Sequence, residues 1–453
     1  MTGTDTMDEY ARRRQRVLDT MHARGGGVAI IRTGREVLRN RDNEYPYRSD
    51  SHFRYLTDFP EPEAAIVLVA DAGRAESVLF CRPKNVERET WDGFRFGPQA
   101  GAERFGFDRG AAIETLDDEM PRLLAGQPAI WHALARDAGL DRSVRLWLQA
   151  VRAQVRAGVR APTQAIDLER VLDEMRLLKD EHELALMRRA ASISAAAHLR
   201  AMRLTRPGLH EYEIEAELEY TFRRNGASGP AYGSIVAGGA NACVLHYRAN
   251  DAVLRDGQLL LIDAGCEFDV YAADITRTFP VNGRFSPAQR RLYEIVLEAQ
   301  QAAIAAVHPG ARFDDAHEAA VRVLAQGMID CGLIAGPLDA ALESGSWRRF
   351  YMHRTGHWLG IDVHDCGDYV EPDGVKTNGA PASRILRPGM VTTVEPGLYV
   401  RAADDVPREF HDIGIRIEDD VLVTDSGNEV LTLEAPKTVA DIEAAMQRTE
   451  GEA

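Results

Sequence analysis

Leu254-Arg255-Asp256-Gly257-Gln258-Leu259-Leu260-Leu261-Ile262-Asp263-Ala264-Gly265 is echoed 132 positions later (386 − 254) by Leu386-Arg387-Pro388-Gly389-Met390-Val391-Thr392-Thr393-Val394-Glu395-Pro396-Gly397. Each copy runs through a turn, an apolar stretch, one acid and a glycine. A lone carboxylate closing a buried strand is costly unless it is neutralised or solvated. Two such strands joined by a duplication would aim two carboxylates at one point, and a metal site can be built that way.

The surroundings of each copy repeat as well. Asp180 reads as a helix N-cap with Glu183 three residues on, opening a long Ala-rich helix with Leu184, Met187 and Ala191 on one face. That helix should stop before Arg206-Pro207-Gly208, and a second should run to Gly226. Later, a helix from about Ser286 ends at His308-Pro309-Gly310 and another runs to Gly332. The expected fold class is therefore α+β. It is a duplicated helix–helix–strand unit about a pseudo-twofold axis, with its antiparallel strands pooled into one curved sheet.

Residues 1 to about 175 mix helical and strand patterns and are expected to form a smaller α/β domain, leaving 176–453 for the duplicated one. An amphipathic helix is read over residues 8–23, ended by Gly25-Gly26-Gly27. Strands are read at Val28–Ile31, Ala64–Val69 and Ser77–Phe80. The glycines lack G-x-G-x-x-G or G-K-[ST], so a helix cap is read rather than a phosphate loop. A helix over Ile166 to Lys179 is expected to link the halves.

The 453-residue chain is 45% hydrophobic and 27% charged, ordinary for a globular protein. Its formal charge of −16 argues against nucleic-acid binding, which needs a basic face, and would attract divalent cations. Five scattered cysteines with no C-x-x-C pair suit a reducing compartment. The N-terminus has no apolar signal region, and no stretch approaches a membrane span. A cytoplasmic protein without membrane partners is expected.

A second acid, Asp274, follows Asp263 by eleven residues (274 − 263) in Tyr271-Ala272-Ala273-Asp274-Ile275-Thr276-Arg277-Thr278. A strand, a turn near Cys266 to Asp269 and a returning strand would set the two acids side by side. Glu395 and Glu418, the latter in Gly414-Ile415-Arg416-Ile417-Glu418-Asp419-Asp420, repeat the arrangement, giving four carboxylates on four strands. Between them lies Met352-His353-Arg354-Thr355-Gly356-His357-Trp358-Leu359-Gly360-Ile361-Asp362-Val363-His364-Asp365, with three histidines and flanking glycines. Four clustered carboxylates would repel one another, and two divalent cations would resolve the repulsion. Oxygen-rich ligands with one imidazole favour Mn²⁺, Co²⁺ or Fe²⁺ over a structural zinc. No H-E-x-x-H is present. The nearest approaches, at His210-Glu211 and His317-Glu318, read as helix-surface residues, and Asp419 and Asp420 read as solvated turn acids.

Together, Ile262–Gly265, Asp274–Pro280, His353–His364, Thr393–Gly397 and Gly414–Asp419 resemble aminopeptidase P, the proline-specific branch of the pita-bread metallopeptidases. Tyr45–Thr57 and Glu61–Ala64 resemble that family's N-terminal domain. The resemblance implies that Asp274 and Glu418 bridge two divalent metals, most often Mn²⁺, with Co²⁺, Fe²⁺ or Zn²⁺ as alternatives. It implies that Asp263 completes one metal's ligands, while His357 and Glu395 complete the other's. His246 matches a histidine lining the substrate pocket, and His353 and His364 match those that hold substrate and stabilise the transition state. Arg416 matches a partner of the acids and Tyr369 a polar neighbour. Trp91 aligns with a tryptophan that can close a neighbouring subunit's pocket in homodimers or homotetramers. The implied activity is hydrolysis of the bond between an N-terminal residue and a following proline, with Glu395 as general base. A prolidase restricted to Xaa-Pro dipeptides shares these ligands. Two departures stand out: Arg354 occupies a position where glycine is commoner, and Val370 to Ser383 reads as an inserted surface loop.

Overall fold

Gly25, Gly26 and Gly27 adopt φ of 96°, 86° and 131°, ending the first helix, Gly3–Ala23, and turning directly into the strand Gly27–Arg32. A Cβ on Gly27 would lie 2.4 Å from the Ala129 carbonyl, so the tight approach of neighbouring strands requires glycine there. The computed structural model describes residues 3–447, except positions 72, 373, 375 and 378. It separates into two compact units, Met1–Met175 and Arg176–Ala453.

The first unit is built on a six-stranded mixed sheet. In spatial order its strands are Arg109–Ala112, Arg74–Cys81, Ala65–Asp71, Gly27–Arg32, Ala129–His132 and Gln164–Asp167. The pairs at the centre are antiparallel and the outer ones parallel. Val28, Ile30, Val67, Val78, Phe80 and Trp147 fill one core face. The linking helix is shorter than expected. Ile166 pairs with Trp131 in the edge strand, and the helix begins only at Glu169, whose N–H is accepted by Asp167 Oδ1 at 3.2 Å.

The second unit displays the duplication in its hydrogen bonds. Asp180 and Glu183 form a reciprocal capping box on the helix Glu181–Leu204, which is followed by the helix Glu211–Arg224. The second half supplies the helices Pro287–Ala306 and Phe313–Asp330. Between the helices of the first half, Gly208 N donates to Leu254 O at 2.8 Å and Leu254 N to Leu209 O at 2.8 Å. In the second half, Gly310 N donates to Leu386 O at 2.9 Å and Leu386 N to Ala311 O at 2.8 Å. Residues 254 and 386 thus play one role twice, at the offset read from the sequence.

The strands carry the same repeat. Leu259–Asp263 pairs antiparallel with Ile235–Gly238 and Thr276–Pro280. Its counterpart Val391–Val394 pairs with Asp419–Thr424, which pairs with Gly427–Val430. The expected curved sheet is divided into these short ladders, together with the pair Gly397–Val400 and Ile413–Arg416, and isolated bridges such as Thr276 to Glu418 connect them. The breaks fall at the acids. Only Asp263 closes a strand. Asp274 and Glu395 sit just beyond strand ends, and Glu418 lies in the isolated bridge. Leaving the ladder lets the chain swing these carboxylates into a common space instead of keeping the alternation of a regular strand.

Candidate active site and metal centre

Asp263 and Asp274 meet because Leu259–Asp263 and Thr276–Pro280 run antiparallel with Asp263 opposite Thr276. Tyr232 Oη lies between them, 2.6 Å from Asp263 and 2.5 Å from Asp274, with one proton to share between the two carboxylates. Glu418 arrives across the bridge, its N–H donating to Thr276 O at 3.0 Å. Glu395 N donates to Thr355 O at 2.7 Å, tying the second strand to the histidine loop. Glycine is essential in that loop, since a Cβ on Gly356 would lie 2.0 Å from Thr393 O and one on Gly360 would lie 2.2 Å from Asp365 Oδ2.

His357 is fixed on both sides. Its N–H donates to Thr393 Oγ1 at 3.1 Å, and ring Nδ1 donates to Trp358 O at 2.9 Å. A carbonyl only accepts, so Nδ1 carries a proton and Nε2 is the ring nitrogen that faces Asp274 Oδ2 at 3.4 Å and Glu395 Oε1 at 3.9 Å. One ligand atom each from Asp274, His357 and Glu418 all lie within 4.8 Å of one another.

All five expected ligands, Asp263, Asp274, His357, Glu395 and Glu418, line one cavity of about 750 Å³. His246, His353, His364, Tyr369 and Arg416 line it too. Trp91 lies in the first unit, 81% exposed on the helix Val86–Asp92, which buries none of its residues. His364 stacks on His357 with ring centroids 4.0 Å apart. His353 Nδ1 donates to Arg354 O at 2.7 Å, so its Nε2 accepts from Tyr399 Oη at 2.8 Å. Arg416 donates to Asp263 at 2.6 Å, to Tyr399 at 3.0 Å and through Nε to Thr276 Oγ1 at 3.1 Å. Tyr369 Oη accepts from Trp358 N at 3.1 Å, and its ring stacks on the Trp358 indole.

The electrostatics call for added positive charge. Burial first, then mutual repulsion among Asp263, Asp274, Glu395 and Glu418, pushes the Asp274 and Glu418 carboxyls up and raises Glu395 to about 7. Burial alone would lower His357, yet the Asp274 and Glu395 carboxylates outweigh it and lift the imidazole to about 9. Buried carboxylates crowded about a positioned imidazole are a donor set that divalent cations fit. His353, by contrast, is held down at about 4 by burial and by Arg416, so it is neutral at pH 7.

Two expectations about neighbouring acids are corrected. Asp419 and Asp420 are fully buried rather than solvated. They belong to the strand Asp419–Thr424, whose alternation sends Asp419 away from the site and Asp420 towards it. Asp419 accepts from Arg277 at 2.7 Å, Lys437 at 2.6 Å, Gln300 at 2.6 Å and Thr432 at 2.7 Å. Asp420 accepts from Asp274 N at 3.2 Å. Glu211 and His317 are not helix-surface residues either. Glu211 is fully buried, and His317 is half-buried with Nδ1 2.8 Å from Thr355 Oγ1.

Sequence reasoning missed Tyr232, Thr276, Tyr399 and Asp420. Three of them carried a signal in proximity along the chain: Thr276 and Asp420 stand two residues from Asp274 and Glu418, and Tyr399 four from Glu395. Tyr232 has no local signal, since only the fold brings its loop to the acids.

A family model for metallopeptidase family M24 matches residues 185–425, and one for the aminopeptidase P N-terminal domain matches residues 10–131. The chain is 44% identical over 439 residues to the Xaa-Pro aminopeptidase of Escherichia coli strain K12, covering 97% of each. It superposes on the aminopeptidase PepP of Pseudomonas aeruginosa with a TM-score of 0.93 at 49% identity, covering 97% of this chain and 98% of that one. The Zn-substituted aminopeptidase P of E. coli in complex with product gives a TM-score of 0.92 at 44% identity, covering 97% and 98%. The resemblance read from the motifs thus extends over nearly the whole length and both units, and the chain belongs to metallopeptidase family M24, with an aminopeptidase P N-terminal domain ahead of the peptidase.

Proposed function

We propose that this chain is a metal-dependent Xaa-Pro aminopeptidase, cutting the bond between the first residue of a peptide and a following proline. The observation that carries the reading is the convergence of Asp263, Asp274, His357, Glu395 and Glu418 on one cavity, where burial and then neighbouring charge displace Glu395 and Glu418 upward. The dipeptide-restricted prolidase is not favoured, because relatives matched over 97% of the chain carry the Xaa-Pro aminopeptidase name.

Family M24 implies divalent metal ions, and we assign Asp274 and Glu418 as ligands shared by two of them, Asp263 to one, and His357 and Glu395 to the other. Manganese suits this oxygen-rich set with a single imidazole. When bound, such cations would supply charge compensation and lower the pKa of water from about 15.7 towards about 7. Glu395 then takes the proton of the attacking water and delivers it to the departing nitrogen. That nitrogen belongs to a tertiary amide and has no hydrogen of its own, so the proline ring must be recognised by shape. His246 and Tyr369 form part of that wall. His364, stacked on His357, meets the carbonyl's developing negative charge, and His353, fixed by Arg354 O and Tyr399 Oη, holds the substrate from the cavity wall. Arg416 orients Asp263 and holds Tyr399 against His353.

We assign residues 1–175 to the N-terminal domain and 176–453 to the catalytic one. The exposed helix carrying Trp91, with Val86 and Phe94 also exposed, supports assembly into a homodimer or homotetramer in which Trp91 approaches a neighbouring site. A cytoplasmic location agrees with five free cysteines, and no described helix is long and apolar enough to cross a membrane. The functional test is cleavage of Arg-Pro-Pro against Ala-Pro. Release of arginine from the tripeptide supports the aminopeptidase, while hydrolysis of the dipeptide alone would return the prolidase reading.

A further inference from the structure

Glu211 begins the helix Glu211–Arg224, where an acid ordinarily faces water, yet this one is 0% exposed. Its carboxylate accepts four hydrogen bonds. Oε1 takes Gly238 N at 2.7 Å and Asn241 Nδ2 at 3.0 Å, and Oε2 takes Tyr247 Oη at 2.9 Å and Ala252 N at 2.9 Å. All four donors lie in residues 238–252, the loop that carries Leu245, His246 and Arg248 into the cavity wall. The helix backbone joins in, Glu211 N donating to Ala252 O at 3.0 Å. The start of the loop has no slack, since a Cβ on Gly238 would lie 2.8 Å from Leu254 and one on Gly239 would lie 2.5 Å from Gln258. Its far end is pinned by Asn250, at φ 47°, whose side chain donates to Ser234 O at 2.9 Å and accepts from Val236 N at 3.0 Å.

We propose that Glu211 is a positioning residue whose buried carboxylate sets the loop 238–252, and thereby places His246 against the bound peptide. A buried carboxylate satisfied by four donors from one loop gives that loop a single conformation. None of the five assigned metal ligands lies in the loop, so Glu211 acts on substrate placement and not on metal binding. The kinetic part of this inference rests on the aminopeptidase reading.

Glu211→Gln is the informative change. Tyr247 can reverse its hydroxyl and Asn241 can turn its amide, but the backbone N–H groups of Gly238 and Ala252 cannot. Whichever way the amide turns, an N–H therefore faces an NH₂ group. The expected result is a KM for Xaa-Pro peptides raised about tenfold with kcat within about twofold. In a His246→Ala background the same change should add less than about twofold, because the two residues act through one element. Hydrogen exchange on the full-length variant should be at least about fivefold faster in a peptide covering 239–252 and unchanged in 259–263. Equal losses in both backgrounds, or unchanged exchange in the loop, would overturn the proposal. If Glu211→Gln does not yield folded protein, Tyr247→Phe carries the same comparison, with an expected KM rise of about threefold, and no rise would count against the proposal. A wild-type protein that cleaves no Xaa-Pro peptide would sink the functional reading instead, while the exchange measurement still decides the role of Glu211.

Discussion

Thr276 and Glu418 exchange two hydrogen bonds across the seam between the duplicated halves. Thr276 Oγ1 donates to Glu418 Oε2 at 2.6 Å, and Thr276 O accepts from Glu418 N at 3.0 Å. The same hydroxyl accepts from Arg416 Nε, so one threonine sets both a carboxylate of the cluster and the guanidinium that holds Asp263. Thr276→Val keeps the shape and removes the hydroxyl. We expect kcat/KM to fall by about 10- to 100-fold, the range for partners that orient metal ligands. Activity within twofold of wild type would show that the hydroxyl is dispensable.

Asp274→Asn or His357→Ala should each reduce cleavage of Xaa-Pro peptides by more than about a hundredfold, beyond what loss of an orienting partner costs. Far-UV circular dichroism should stay near wild type, because both side chains line the cavity and neither belongs to the hydrophobic core. Full activity in either variant would contradict the ligand assignment.

Exhaustive chelation should abolish activity and lower the Tm, since the carboxyl cluster then lacks its counter-charge. At a free metal concentration of about 100 Kd, readdition should restore about 2.7 kcal/mol. Comparing Mn²⁺, Co²⁺, Fe²⁺ and Zn²⁺ at matched free concentration identifies the most activating ion. Undiminished turnover in protein shown by elemental analysis to be metal-free would refute the mechanism.

Asp419 is sealed among Arg277, Lys437, Gln300 and Thr432, and burial works against a carboxylate that these cations nonetheless hold below the usual range. Asp419→Asn strands two cations beside it and should destabilise the protein by about 3–5 kcal/mol in urea unfolding. A solvated turn acid would cost less than about 0.5 kcal/mol, so the measurement separates the two pictures. Asp425→Asn, at an exposed turn, serves as the control.

His198 is fully buried and donates from Nε2 to Ala264 O at 2.9 Å, and burial lowers its pKa from 6.5 to about 4. The unfolded chain therefore binds a proton at this histidine before the folded one does. Its contribution is complete above pH 6.5 and is lost as pH falls towards 4, on the order of 3 kcal/mol over that window. The stability gap between wild type and His198→Gln should shrink by that amount as the pH is lowered through it. Parallel stability curves would show that the histidine is not held neutral.

Much of this protein could be read along the chain because its information is local and repeated. A turn, an apolar strand and an acid, written twice at one offset, were enough to place Asp263 and Glu395. The glycine-flanked histidines and the capping signal at Asp180 were equally local. What could not be read depends on which face a side chain meets. Glu418, Asp419 and Asp420 are three consecutive acids with nothing in their order to distinguish them. The pleat of the strand turns Asp420 towards Asp274 and Asp419 into a nest of cations, while Glu418, just ahead of the strand, lines the cavity. Likewise Glu211 and His210 look alike at a helix start, and only the loop folding back over the helix buries one and leaves the other at the surface. Periodicity and capping chemistry depend on neighbours in the chain, so the sequence alone determined the elements and the duplication. Burial and the pairing of charges depend on neighbours in space, so only the tertiary structure decided which acids gather at the cavity, which are sealed among cations and which residues hold them in place.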